Sequence, residues 1–381
     1  MGRRYTAREQ AEREGQVDST LDGIQARLLE HDKEIDAIVG IIACLACSTL
    51  DINDHRTEEL LRDDFSAVAR ELALRARHMD ESVSTGDILQ ACRNAWTACG
   101  LQALLGESPR LTSAIFAYSM LYPYSDNYLD NRTISPVAKL RFSARFRLRL
   151  AGDLEPEEGL ENTIWKLVSL IEGQWPRAQY PDVFDSLLAI HAAQERSLAQ
   201  QRAGFHSYTD ILRLSFAKGG ASVLTDAYLA KGSLSSVEAR FAFGWGVLLQ
   251  LGDDLQDLVS DRERGFHTLF SATAAKGTLD DLTAQTLNFA SAVMESMPPL
   301  PKDMDHLGEL LRKNSVSLLI SAASEYSEFY SGSYLRRLER YSPLRFAFLK
   351  SRKDRVARWL SPDTGLMDEL LCYSLSRRSN G

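Results

Sequence analysis

Cysteine is scarce and odd in number, with five among 381 residues. The positions, Cys44, Cys47, Cys92, Cys99 and Cys372, are spread too widely for a disulfide framework. Cys44 and Cys47 form a C-x-x-C, but no second such pair completes a zinc site. They sit in the apolar run 38–47, so buried structural thiols are expected. Long apolar runs are also missing, and none reaches the about 18 residues that suggest a membrane span. Basic charge is in deficit, with 44 Lys and Arg against 52 Asp and Glu and a formal net charge of −8. Such a chain is a poor general binder of nucleic acid, so no nucleic-acid partner is expected. Local binding of polyanions, through metal ions or a few basic side chains, stays open. No leader is expected from the first residues, which are polar and charged. Gly2 and Thr6 fit a myristoylation pattern, but the pattern is short and Arg3 and Arg4 follow. These features give the expectation of a soluble, reduced, cytoplasmic protein.

Strand-like alternation is scarce as well. What is present is helical spacing. Apolar residues recur every three or four positions over 24–50, 58–78, 87–104, 111–131, 137–150, 158–175 and 183–202. The spacing continues over 208–231, 235–261, 279–297, 304–330 and 344–360. Breakers such as Pro109, Pro156, Pro181, Gly232, Gly277 and Pro298 fall between these segments. Nothing resembles an interdomain linker. The expectation is a polar N-terminal arm over 1–22, then a single all-α domain over 23–381 with ten or more helices.

Two segments stand apart. Residues 111–125 carry no charge, nor do residues 241–252. A helix that is apolar on nearly every side is expected to be buried. The first run ends Asp126-Asn-Tyr-Leu-Asp130, which places Asp126 and Asp130 on one face. Upstream on that face lie Tyr122, Ser119 and Ile115. The second run ends Gln250-Leu-Gly-Asp253-Asp254-Leu-Gln-Asp257, and Asp253, Asp257 and Asp261 follow at i, i+4, i+8. Leu249, Gly246 and Ala242 lie upstream of Asp253. Like charges 4 Å apart repel by about 4 kcal/mol at an effective dielectric near 20, and a helix C-terminus disfavours anions. A hard cation such as Mg²⁺, which takes carboxylates, waters and phosphates, would justify the arrangement. The plainer alternative is a solvated acidic face or a set of caps.

Asp253-Asp-Leu-Gln-Asp257, with Gln250 before it, resembles the second aspartate-rich motif of trans-isoprenyl diphosphate synthases. Asp126-Asn-Tyr-Leu-Asp130 resembles the first, with Asn127 where a second Asp is usual. It is also similar to the first motif of the large bacterial terpene synthases related to tetraprenyl-β-curcumene synthase. Asp253, Asp257 and Asp261 occupy the spacing of the metal-binding triad of class I terpene cyclases. The resemblance spans about residues 87 to 345. It implies an isoprenoid-synthase bundle around a central apolar pocket, a prenyl diphosphate substrate, three Mg²⁺ ions held by the six aspartates, and a homodimer.

Two features of elongating synthases are missing. One is the Gly-Lys-x-x-Arg-Pro-like segment that holds isopentenyl diphosphate. The other is an Arg-Arg-Gly after the first motif, where only Arg132 follows closely. A class I terpene synthase acting on a single allylic diphosphate is therefore favoured over a prenyltransferase. A non-catalytic subunit is the third possibility.

Lys218-Gly-Gly resembles the Lys-Thr-Gly of prenyl synthases, whose lysine contacts diphosphate, and its glycines could admit a ligand. Arg340-Tyr341 resembles the C-terminal Arg-Tyr pair of class I cyclases. Arg213 is a candidate diphosphate sensor, and Arg262 and Arg264, beside Asp261, are phosphate candidates with an exposed ion pair as the alternative. Phe116, Tyr118, Tyr122, Phe216, Phe241, Phe243 and Trp245 serve either as core or as the wall of a pocket for a polyisoprene chain. Asp51-Ile-Asn-Asp54-His55 reads as a loop. Lys139, Arg141, Arg145, Arg147 and Arg149 cover much of one helix, as a solvated or subunit-facing surface or as one that meets an anionic membrane or partner.

Overall fold

A computed structural model describes residues 2–28, 35–131, 133–152, 154–157, 159–197, 207–300, 304–359 and 371. Every regular element among them is helical. The order begins α1 (Ala7–Leu28), α2 (Ile35–Thr49), α3 (His55–Glu59), a π-helical turn (Leu60–Phe65), α4 (Ser66–Met79), α5 (Thr85–Leu104) and α6 (Ser113–Asp130). It continues with α7 (Pro136–Ala151), α8 (Leu160–Gln174), α9 (Pro181–Ser197), α10 (Tyr208–Lys231), α11 (Ser236–Gln256) and α12 (Leu258–Arg264). The last are α13 (Leu269–Ala274), α14 (Asp280–Glu295), α15 (Asp305–Glu325), α16 (Gly332–Glu339) and α17 (Phe346–Trp359). The all-α expectation holds. Among the described residues no helix is long and apolar enough to cross a membrane.

Local chemistry sets the ends. Thr112 Oγ1 accepts from the Ile115 N–H at 3.2 Å and starts α6. Ser207 does the same for α10 through Asp210 N. Ser135 caps α7, whose first residue is Pro136. Gly232, at φ +82°, follows the last turn of α10.

Packing divides the chain into two compact units, residues 71–247 and residues 1–70 with 248–381. In the 71–247 unit, α10 packs on α9 and α5, and α6 packs on α5 and α8. The spacing of apolar residues explains the contacts. Ile164, Leu167, Val168 and Ile171 form the buried stripe of α8, and Ile88, Ala91, Cys92, Ala95 and Cys99 that of α5. Every residue from Ala114 to Leu121 in α6 is buried, as expected of an uncharged helix.

In the same unit α10 and α11 approach closely through glycines. A Cβ on Gly246 would fall 2.1 Å from the Gly219 carbonyl oxygen, and one on Gly220 would fall 2.4 Å from the Phe243 ring. The glycines after Lys218 thus admit a neighbouring helix, where the sequence suggested a ligand.

The other unit gathers both chain ends. The polar arm is helical from Ala7, and its inner face buries Gln10, Glu14, Val17, Leu21 and Ile24. Val17 and Leu21 pack with Leu344, Leu45, Phe348 and Leu349. Glu14 pairs with Arg345, and Asp18 with Arg352. Gln10 Nε2 donates to the carbonyls of Glu339 and Ser342, both at 3.0 Å. The 24–50 segment resolves into α1 and α2. Cys47, Cys92 and Cys99 are buried free thiols, and burial pushes Cys92 up to about 12. Cys44 is exposed, contrary to expectation, and Cys372 lies outside the described residues.

Gly246→Ala is expected to lower stability by about 1–3 kcal/mol or more, because its new methyl meets backbone. Gly220→Ala should cost less, because the partly exposed Phe243 ring can swing away. Thermal unfolding of the two variants checks the order, and the reverse order would refute this packing.

Candidate functional site: two acidic helix ends

The first acidic end belongs to the 71–247 unit. Asp126 is half-buried near the end of α6 and accepts from Gln194 Nε2 of α9 at 3.0 Å. Asn127 is exposed, and its Nδ2 donates to Asp87 Oδ1 at 2.7 Å. An amide at this position satisfies a carboxylate that a second Asp would repel. Asp130 closes α6, and its side chain lies outside the described part, as does Arg132 altogether. Tyr124 donates to Asp80 Oδ2 at 2.8 Å. Hydrogen bonds from Ser82 and Tyr124 hold the Asp80 carboxyl below its usual range.

Behind Asp126, the face of α6 carries a buried polar chain. The Tyr122 hydroxyl meets Ser222 Oγ on α10 and the Tyr118 hydroxyl, the latter at 3.1 Å. Burial raises the pKa of both phenols. The two rings stand edge to face, 5.3 Å between centroids. Ser119 Oγ accepts from Asn94 Nδ2 at 3.1 Å, and that same nitrogen donates to Asp226 Oδ1 at 3.0 Å. Ile115 is fully buried one turn back. A cavity of about 30 Å³ beside Tyr122, also lined by Phe146, His191 and Gln194, has room for one water.

Asp226 was not foreseen. It is 1% exposed, and its Oδ2 has no hydrogen-bond partner among the described residues. Burial pushes its carboxyl well above the usual range. The sequence held a signal, since the helical neighbours of Asp226 at three and four positions are Ser222, Val223, Leu229 and Ala230. A carboxyl on that face enters the core.

In the same unit, Lys218 on α10 is half-buried and Arg213 is exposed. Ala242, Trp245 and Gly246 are buried on α11. The Trp245 ring stacks with Phe241 at 6.1 Å, and its Nε1 is buried without a partner among the described residues.

The second acidic end belongs to the unit of both chain ends. Leu249, Gln250 and Asp253 are half-buried on α11 and Asp254 is buried. Gln250 Nε2 donates to Asp254 Oδ1 at 2.8 Å. Asp257 N bonds to Asp253 O and Asp261 N to Asp257 O, both at 2.8 Å. The i to i+4 bonding thus carries across the α11–α12 junction, although Asp257 itself, at φ −91° and ψ 8°, stands between the two helices. Asp257 is exposed and Asp261 half-buried. The Tyr326 hydroxyl, bonded to the Gln256 carbonyl, is pushed up to about 12 by burial and by the charges of Glu325, Asp257, Glu328 and Asp261. Arg262 is exposed and lies 5.1 Å over the Phe329 ring.

Arg340 and Tyr341 are engaged by the N-terminal segment. Tyr5 N donates to Arg340 O at 2.7 Å, and Arg4 Nε to the Tyr341 hydroxyl at 3.0 Å. Tyr341 also lines a cleft of about 760 Å³ with Arg3, Asp51, Arg312 and Lys313. Asp51, in the expected loop, has φ +58° and anchors Arg13, the Tyr5 hydroxyl and Lys313.

Among the described residues no cluster of three or more His, Cys, Asp or Glu is drawn together as a metal cage. The aspartates at 253, 257 and 261 offer hard oxygen donors, the donor chemistry that Mg²⁺ takes.

The raised Asp226 carboxyl predicts a pH signature. Its folded pKa is raised, so its contribution is full below about pH 4 and falls as pH rises toward the folded pKa. Asp226→Asn should remove that loss. The variant's stability should gain on wild type by up to about 1.4 kcal/mol per pH unit within this window. Denaturant melts from pH 5 to 8 check it, and parallel curves for the two proteins would refute it.

Comparison with protein-family models, curated proteins and solved structures finds no match in any of the three.

Proposed function

We propose that this chain is a Mg²⁺-dependent class I terpene synthase, acting in the cytoplasm on an allylic prenyl diphosphate. The observation that supports the reading is the four-residue spacing of Asp253, Asp257 and Asp261, whose backbone i to i+4 bonds run from the charge-free part of α11 into α12. Asp126 follows the charge-free, largely buried part of α6 in the other unit. The resemblance assigns the ions to Asp126, Asp130, Asp253, Asp254, Asp257 and Asp261. Bound Mg²⁺ supplies positive charge that stabilises departing diphosphate.

The chain's own residues do the rest. Lys218, Arg213, Arg262 and Gln250 are the diphosphate candidates. The allylic C–O bond breaks and its electron pair leaves with diphosphate. The remaining carbocation is attacked by its own double bonds or loses a proton. Apolar and aromatic side chains exclude water and prevent early quenching. Asn127 is no sign of decay in this reading, because its amide is occupied by Asp87.

Incubation with C10 to C35 diphosphates and Mg²⁺, with product analysis by mass spectrometry, tests the proposal. Hydrocarbon or alcohol products with released diphosphate are expected. Asp253→Asn and Asp257→Asn should each lower turnover by about 10²-fold or more, and chelation should abolish it. Longer diphosphates formed only with added isopentenyl diphosphate would make the chain a prenyltransferase instead. No diphosphate release from any substrate would leave a non-catalytic subunit.

A further inference from the structure

Helix α7 is apolar on two sides. Its inner side buries Phe142, Phe146 and Leu150. Its outer side carries Val137, Leu140 and Leu148, which are 75%, 65% and 55% exposed. At about 100° per residue, these three share one stripe with Ala144 and Ala151. Arg141 lies along one edge of the stripe and Arg147 along the other. Exposed apolar residues normally occur singly, and nothing in the packing of α7 on α8 and α9 calls for a second apolar face.

The charge is equally one-sided. The helix holds five basic residues and no acidic one, in a chain of net charge −8. Glu161 holds Arg145 and Glu172 holds Arg149. Arg141 reaches Glu157 while remaining exposed. Arg147 is exposed and Lys139 half-buried. An aliphatic stripe edged by arginine matches a helix that lies in a lipid interface, with aliphatic groups at the headgroup–acyl boundary and cations among the phosphates.

We propose that the outer face of α7 seats the protein on an anionic lipid bilayer. Charge selects this occupant over a second copy of the chain. A two-fold pairing of such stripes about Ala144 would set arginine against arginine. The inference stands apart from the terpene synthase reading, because it uses none of the acidic residues.

Co-sedimentation tests it. The wild-type protein is mixed at low salt with vesicles of phosphatidylcholine containing about one third phosphatidylglycerol, and separately with phosphatidylcholine alone. It should pellet with the first and not the second, and added salt should release it. Leu140→Glu with Leu148→Glu should lower the partition coefficient at least about tenfold. Leu140→Ser with Leu148→Ser should also weaken binding without adding charge, and Arg147→Glu should weaken it about fivefold or more. All these side chains are exposed, so circular dichroism and melting should be unchanged. Failure to pellet with anionic vesicles, or equal pelleting of the double variants, would overturn the proposal. A dimer in light scattering that the double variants split would assign the face to a second copy and overturn it as well.

Discussion

A carboxyl group carried into an apolar helix bundle must be hydrogen-bonded, neutralised by a cation or protonated, because an uncompensated buried charge costs several kcal/mol. The molecule meets that constraint in different ways at different aspartates. Asp126 takes an amide hydrogen bond from Gln194. Asp254 takes one from Gln250, a turn away on its own helix. Asp226 has a single amide donor among the described residues, and burial pushes its carboxyl well above the usual range. Asp253, Asp257 and Asp261 follow at four-residue spacing, and Asp257 and Asp261 add to the burial that raises the Tyr326 phenol. The last arrangement is the one that a divalent cation resolves best, which is why the functional reading rests there.

The same economy governs the packing of the 71–247 unit. Uncharged α6 is buried over two turns, so its hydroxyls must find partners inside the protein. Tyr118, Tyr122, Ser119, Asn94 and Ser222 satisfy one another. Gly219 and Gly246 bring α10 and α11 together backbone to backbone. The buried polar chain and the close crossing both involve α10, the helix that also carries Lys218.

Much of this was legible in residue spacing. The 208–231 periodicity coincides with α10, and the charge-free run 111–125 contains the buried stretch 114–121 that leads toward the acidic end of α6. The polar arm was less legible. Its outer faces are charged, and its inner residues at 10, 14, 17, 21 and 24 include a Gln and a Glu that are satisfied only by residues more than three hundred positions away. The short helices α13 and α16 lacked enough turns to show a period. Asp226 was hidden because a single acid in an apolar helix resembles a surface residue until its neighbours are placed. The partners of Arg340 and Tyr341 lie at the opposite end of the chain, where pattern gives no guidance.

Calorimetric titration with inorganic diphosphate, in Mg²⁺ and in its absence, tests the central claim most directly. Wild type should bind diphosphate only with the metal. Asp253→Asn and Asp257→Asn should each weaken that binding more than about tenfold. Diphosphate binding that ignores the metal, or that survives either substitution intact, would contradict the account.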